Sequence, residues 1–413
     1  MTRPADRSSA VRFVMLAVLV DAIGFGIVMP VLPGLVMQLG HVGLSQATRI
    51  GGWFGMVYAA VQFLCGPLMG NLGDRFGRRP VLLGALGGFA IDYALMGFAP
   101  SLGWLFVGRA LAGLFGASYG PAGAAMADLS TPDDRARHFG LIGAAFGIGF
   151  VVGPAIGGLL GELGPRAPFY AAAVLGAANF VFGLAVFPET LDPAHRRPFS
   201  LRRANPLGAL LSLRRVAGVL PIAFVSFWWA LATMVYPAVW AFYAIAAFDW
   251  SPGMVGLSLA LVGGLMAACQ MLIVGRVVAR VGERGAALIG MAAATIGFVV
   301  FGFLHIGWLV FPILCITALQ SLVMPSMSAI MSRRVPPNAQ GELQGFSGSI
   351  AAIAAVIAPM LYNNLLAAFT GPRAHPPFPG APFLLAAACA LLAIATLALL
   401  RRAPVQMPSA TGA

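Results

Sequence analysis

The chain has 413 residues, 60% of them hydrophobic and only 9% charged, with a formal charge of +12 and a mean hydropathy of +0.89. A soluble domain is about a quarter charged, so this composition excludes one; apolar windows of bilayer-spanning length recur from end to end instead. Every basic residue is Arg, and the arginines sit in short loops between apolar stretches, a positive-inside pattern that sets aside nucleic-acid binding.

The N-terminus, MTRPADRSSAVRF, is a short basic tail. No small-residue cleavage site follows the first apolar run, so a retained helix is expected. Twelve spans are expected, at 11–37, 50–71, 80–99, 102–127, 138–161, 167–188, 216–246, 253–279, 285–304, 307–331, 342–366 and 381–401. The fold class is therefore an all-α polytopic membrane protein with 12 transmembrane helices. The longest gap, 189–215, carries Arg196, Arg197, Arg202, Arg203, Arg214 and Arg215. It divides the chain into six-helix bundles at 1–188 and 216–413.

An even number of spans puts both termini on one side. Loops on that side hold Arg75, Arg78, Arg79, Arg135, Arg137, the six central arginines, Arg280, Arg284, Arg333 and Arg334, and the tails add Arg3, Arg7, Arg401 and Arg402; opposite loops hold only Arg49, Arg166 and Arg373. The termini and the central linker are expected to be cytoplasmic.

The two halves repeat. GNLGDRFG, from Gly70 to Gly77, returns as GRVVARVG from Gly275 to Gly282, an offset of 205 residues that also relates Pro154 to Pro359. Pro121 and Pro325, and Pro132 and Pro336, agree at 204. Two related bundles with a site between them are a common build of secondary transporters, and the halves are expected to be pseudo-symmetric.

Ionisable groups at membrane depth are functional suspects. Asp21 lies about halfway along the first span, Asp92 in the third and Arg109 in the fourth, with Asp128 near its inner end. Asp21 is expected to load and release a proton; with Arg109 it forms either a working pair or a static brace. Asp92 either lines a cavity or packs between helices. In the seventh span Trp229, Tyr236 and Tyr243 recur every seven residues and share one helical face. They either stack a flat polycyclic ligand or belong to an interfacial aromatic belt. Tyr58, Gln62, Tyr119, Trp229, Tyr236, Trp240 and Gln270 are the candidates for lining a substrate cavity. The five histidines lie in loops or at span ends without metal-ligand spacing, and no catalytic constellation is seen; neither an enzyme nor a protein-held metal is expected.

The densest charge cluster is GNLGDRFGRRP, from Gly70 to Pro80. Its Gly70, Asp74, Arg75, Gly77, Arg78 and Arg79 resemble the loop 2–3 signature of the major facilitator superfamily. GAAFGIGFVVGPAIGG in the fifth span, with Gly149, Gly153, Pro154, Gly157 and Gly158, resembles the antiporter signature of its drug–proton exporters. LVDAIGFGIVMPVLP, DRFGRRPVLL, FPET and the seventh and eighth spans look like the tetracycline–proton antiporters. The resemblance implies the major facilitator fold and a charged latch at Gly70–Arg79 that engages when the cytoplasmic side is shut, with Asp128 as partner to one of its arginines. It implies proton coupling through Asp21, Asp92 and Arg109, and efflux of amphipathic drugs, tetracyclines first, from a bacterial inner membrane. The partners would be drug, protons and bilayer, the protein a monomer, and Mg²⁺ would enter only within a drug chelate. The chain departs from the family where Met266 and Ala294 replace a His and an Asp. An exporter of another drug, or of a sugar or metabolite, is the alternative. Ala279 and Glu283 replace Asp74 and Arg78 in the repeat, so the latch is expected mainly in the first half.

Overall fold

The computed structural model describes residues 4–116, 119–131, 133–200, 219–335, 340–372 and 374–400. Every regular element among them is helical. Helices α1 (Pro4–Val28), α2 (Leu32–Gly40), α3 (Leu44–Phe76), α4 (Arg78–Gly97), α5 (Leu102–Phe115), α6 (Tyr119–Leu129), α7 (Arg135–Gly161) and α8 (Ala167–Val186) build the first half. Helices α9 (Val219–Thr233), α10 (Val235–Phe248), α11 (Pro252–Leu272), α12 (Val274–Phe303), α13 (Val310–Thr317), α14 (Val323–Ser332), α15 (Gln340–Thr370) and α16 (Ala381–Leu399) build the second. Eleven stretches among the described residues are long and apolar enough to span a membrane. The expected span 102–127 appears as α5 and α6.

Prolines account for two breaks. The first span ends at Val28, where Pro30 and Pro33 separate α1 from α2. The seventh breaks at Met234, because Pro237 cannot donate to the carbonyl of Thr233 and its ring crowds that carbonyl. The eighth span stops at Leu272, short of the expected 279, and the chain re-enters helix at Val274.

The repeat is visible in backbone geometry. Gly77 turns the chain between α3 and α4 with φ +106°, and Gly282 bends α12 with φ +73°. Side chains rarely adopt that region, so glycine is required at both positions. Gly77 is the whole connection: GNLGDRF lies on α3 and RRP on α4, where a loop was expected.

The halves meet on the Arg-poor face and part on the Arg-rich one. On α3, a Cβ at Gly52 would lie 3.0 Å from the Pro359 carbonyl oxygen of α15, and one at Gly55 would meet the Pro359 ring. Gly70 lies eighteen residues, or about five turns, further along that helix face, and a Cβ there would meet nothing within 4 Å. On α7, a Cβ at Gly158 would lie 2.7 Å from the Pro252 carbonyl oxygen and 3.0 Å from the Gly256 Cα of α11, whereas one at Gly147, about three turns toward the Arg-rich end, would meet nothing within 4 Å. Gly256 in turn abuts the Pro154 carbonyl. The seam is built twice: a proline carbonyl of one half against a glycine of the other, Pro154 on Gly256 and Pro359 on Gly52.

Candidate functional site

The glycines of α7 divide between two partners. Built Cβ atoms at Gly149 and Gly153 would lie 2.6 Å from the carbonyl oxygens of Leu19 and Ile23, and one at Gly157 would strike that of Ile27. These three sit four residues apart and bring α7 against the α1 backbone, the close approach small residues allow in membranes. Gly158 and Gly161 face α11 of the other half.

Between the halves lies a chamber of about 440 Å³. Tyr58, Gln62 and Arg109 line it from the first half, Tyr236, Trp240 and Phe242 from the second. The Gln62 amide donates to the Tyr58 hydroxyl at 3.2 Å and to the Gly116 carbonyl at 3.1 Å. The Arg109 guanidinium stands 4.8 Å above the Tyr58 ring centroid, a cation–π contact. Asp21 and Arg109 both act electrostatically on Tyr58. A second lobe of about 360 Å³ holds Asp21 and shares Phe25, Tyr58, Gln62 and Phe89 with the chamber.

Asp92 is fully buried, and neither carboxyl oxygen has a hydrogen-bond partner among the described residues. It packs against α5 near Gly108, next to Arg109 in sequence, and lines neither lobe. Asp21, Tyr58, Asp92, Tyr93 and Arg109 lie within Coulombic range as one cluster. Tyr93, absent from the sequence candidates, lines the chamber and presses its hydroxyl against Gly24.

Three cavity candidates are placed elsewhere or lie outside the description. Trp229 is buried in the core and lines neither lobe. Gln270 is exposed, two residues before the end of α11. The Tyr119 side chain lies outside the described residues. Tyr243, with its hydroxyl donating to the Phe301 carbonyl at 2.7 Å, is structural. Met266 contacts Gln320 and Ser321, and Ala294 is fully buried. No three His, Cys, Asp or Glu residues converge on a metal position among the described residues.

On the Arg-rich face, Arg78 is the hub of the charge cluster. Its guanidinium reaches Asp74 at 2.8 Å and Asp128 at 3.1 Å. Both partners belong to the same half. Glu189 of the FPET segment accepts from the backbone N–H groups of Arg78 at 2.8 Å and Arg79 at 3.4 Å. A carboxylate there suits the positive end of α4. The linker continues along the cluster: Arg197 N–H donates to the Asp74 carbonyl at 3.0 Å, and the Asn71 amide to the Ser200 carbonyl at 2.6 Å. Arg75 lies over the Phe76 ring. Arg79 reaches the Leu184 carbonyl near the end of α8.

The second half repeats this arrangement with the charges exchanged. Glu283 pairs with Arg333, and these occupy the repeat positions of Arg78 and Asp128. Arg284, the counterpart of Arg79, donates to the carbonyls of Leu397 and Ala398 at the end of α16. An ion pair thus stands in both halves, with opposite polarity, the one in the second half more exposed. On the Arg-poor face, Glu162 at the end of α7 accepts from the Gly253 N–H of α11 at 2.7 Å. Sequence pattern singled out neither Glu162 nor Glu189.

A two-half helical bundle joined on one face by paired proline–glycine seams, with a chamber between the halves, defines a membrane transporter of the major facilitator type. The family comparison agrees: the Major Facilitator Superfamily profile matches residues 14–359 and, in a second match, 232–412. The chain belongs to that superfamily and, within it, to the tetracycline resistance proteins. It is 41% identical to the class C protein of Escherichia coli, over 87% of this chain and 90% of that one. It is 37% identical to the class G protein of Vibrio anguillarum, over 88% and 92%. Among solved structures, the human organic anion transporter TETRAN has a TM-score of 0.69 at 24% identity, covering 96% of this chain and all of that one. A bacterial homologue of the human lysosomal transporter Spinster, in an inward-facing and occupied conformation, has a TM-score of 0.74 at 15% identity, covering 97% of each chain. These two likenesses concern the fold.

Proposed function

We propose that this protein exports amphipathic drugs, tetracyclines first, across a bacterial inner membrane by alternating access, in exchange for protons. The observation that carries the reading is the chamber between the halves. It is walled mainly by aromatic and aliphatic groups, with one guanidinium over Tyr58 and a buried carboxyl behind it. Such a site suits a flat amphipathic molecule with a few polar groups better than a sugar, which needs many hydrogen-bond partners. The tetracycline resistance proteins among its relatives support the choice of drug.

The arginine bias makes the open face cytoplasmic, with both termini and the linker on that side. The described state is then inward-facing: drug enters from the cytoplasm, and the proline–glycine seams must part to release it. Asp21, Asp92 and Arg109 carry the coupling. Burying an ionised carboxylate without hydrogen bonds is costly, so proton uptake and loss at Asp92 change the energetics of the surrounding helices. The protein works as a monomer and needs no cofactor; Mg²⁺ travels only within a drug chelate. The test is a resistance panel of tetracyclines, chloramphenicol, fluoroquinolones and lipophilic cations in a drug-sensitive host. Raised tolerance to tetracyclines is expected. A host no more tolerant of tetracycline than the vector control overturns the substrate assignment.

A further inference from the structure

On the Arg-rich face, the turn from α11 into α12 repeats the α3–α4 turn without its cover. In the first half the linker lies across that turn, where the Asn71 amide donates to the Ser200 carbonyl and the Arg197 N–H to the Asp74 carbonyl. The repeat positions hold Arg276 and Ala279, followed by Arg280 where the first half has Arg75. All three are exposed. Before it bends at Gly282, α12 runs for two turns as VGRVVARV. Val274, Val277, Val278 and Val281 share one side of these turns, and Arg276 and Arg280, one turn apart, share the opposite side. Arg276 gives one N–H to the Leu272 carbonyl at the end of α11. Arg280 makes no ion pair among the described residues, and Glu283, the next acid along the helix, is held by Arg333. Beside the arginines Met271 and Leu272 are 78% and 56% exposed, an apolar edge that suits acyl chains.

We propose that Arg276 and Arg280 form a binding site for an anionic phospholipid, its phosphodiester between the two guanidinium groups and its acyl chains along Met271 and Leu272. Planar guanidinium forks match phosphate oxygens, and hydrogen bonds from a charged donor to an oxyanion are the strong ones. Basic groups at a membrane surface each add to the attraction for anionic lipid. A helical segment with arginines opposite valines is the pattern of an interfacial element, lying where headgroups lie. The rest of the chain does not supply the anion. Stretches 201–218 and 401–413 contain no acidic residue and bring Arg202, Arg203, Arg214, Arg215, Arg401 and Arg402, which the site repels. In the first half the corresponding surface is taken by Asp74 and the linker, so the site belongs to the second half alone. It goes beyond the efflux reading, because it depends neither on which drug moves nor on what drives it.

The test is native mass spectrometry of the full-length protein in detergent, titrated with dioleoyl-phosphatidylglycerol or dioleoyl-phosphatidylcholine. The parent should bind its first phosphatidylglycerol about tenfold tighter than phosphatidylcholine. Arg276→Gln combined with Arg280→Gln should weaken phosphatidylglycerol binding by about tenfold or more, and Arg276→Lys with Arg280→Lys should keep it within about threefold. Arg135→Gln with Arg137→Gln removes as much exposed charge at the start of α7 and should leave the affinity unchanged. Glycerol 3-phosphate in large excess should not displace the lipid. These arginines are all exposed, so melting temperatures should match the parent and confirm that each variant is folded. Equal phosphatidylglycerol affinity in the parent and the Arg276/Arg280 glutamine variant overturns the proposal. So does an equal loss in the Arg135/Arg137 variant, which would reduce the effect to overall charge. Displacement by glycerol 3-phosphate overturns it as well, by making the site one for a soluble anion. A protein that failed to export tetracycline could still pass this test, so the two readings fail separately.

Discussion

Gly158→Ala separates the seam between the halves from the packing within one half. The added methyl would sit 2.7 Å from the Pro252 carbonyl oxygen and 3.0 Å from the Gly256 Cα, both backbone atoms of α11, so no side chain can swing aside. Overpacking of this kind costs about 1–3 kcal/mol. In the proposed alternating-access cycle the seam parts when the Arg-poor face opens, so the penalty falls on the described state alone. At about 1.4 kcal/mol per tenfold, the equilibrium shifts toward the other state by roughly fivefold to a hundredfold. The assay starts from a variant lacking Cys65, Cys269, Cys315 and Cys389, with Ala355→Cys as a reporter in the chamber wall. A membrane-impermeant maleimide is added from the periplasmic side. Labelling should accelerate in Gly158→Ala. In Gly157→Ala the methyl meets Ile27 of the same half, so the penalty applies in every state: folded yield and melting temperature fall while accessibility does not rise. Unchanged labelling in a well-folded Gly158→Ala protein would refute the seam.

The other expectations concern charges and one turn. Asp128→Asn weakens a hydrogen-bonded pair with Arg78, which is only 9% exposed; a loss of about 1.5–3 kcal/mol should appear as a lower melting temperature. Glu283→Gln should change melting by less than about 1 kcal/mol, because the Arg333 side chain is 73% exposed; equal effects would argue against the difference in burial. Gly77→Ala forces a side chain onto positive φ and into Glu189, so it should lower folded yield, and a variant as stable as the parent would contradict the described turn. The Ser251 hydroxyl and then the Gly253 N–H hold the Glu162 carboxyl below the usual carboxylate range. The ionised form makes the contact, which is therefore present at neutral pH and lost only as pH falls through that lowered value. Periplasmic labelling of the Ala355→Cys reporter should thus gain nothing from Glu162 titration between about pH 6 and 8, yet rise in Glu162→Ala; no rise would remove Glu162 from the seam.

Much of this architecture is legible in the residues. The 205-residue offset announces the repeat, and the positive φ of both Gly77 and Gly282 shows why the glycines recur. Asp128 as the partner of an arginine in the charge cluster follows from its place at the end of the fourth span. What the residues conceal is rotation about each helix axis. A helix that is apolar all round has no polar face to orient it, so Trp229 and Tyr236 look equivalent, yet one is buried in the core and the other lines the chamber. Gln270 is polar and within an expected span, yet it lies too close to the end of α11 to reach the chamber. Glu162 and Glu189 escape notice because each binds backbone N–H groups, and a backbone partner leaves no mark in residue identity. The exchanged pair Glu283–Arg333 is visible only when position 128 is carried over to 333 together with 78 to 283.

Proton-driven tetracycline movement in everted membrane vesicles tests the proposed function most directly. An acid-inside gradient is imposed, and labelled tetracycline uptake is followed with the parent protein and with Asp21→Asn. Uptake by the parent should rise with the gradient and collapse when nigericin dissipates it, and Asp21→Asn should show none above vesicles lacking the protein. Uptake that persists undiminished after the gradient is gone, or that Asp21→Asn supports as well as the parent, would contradict a proton exchanger with its coupling groups in the first half.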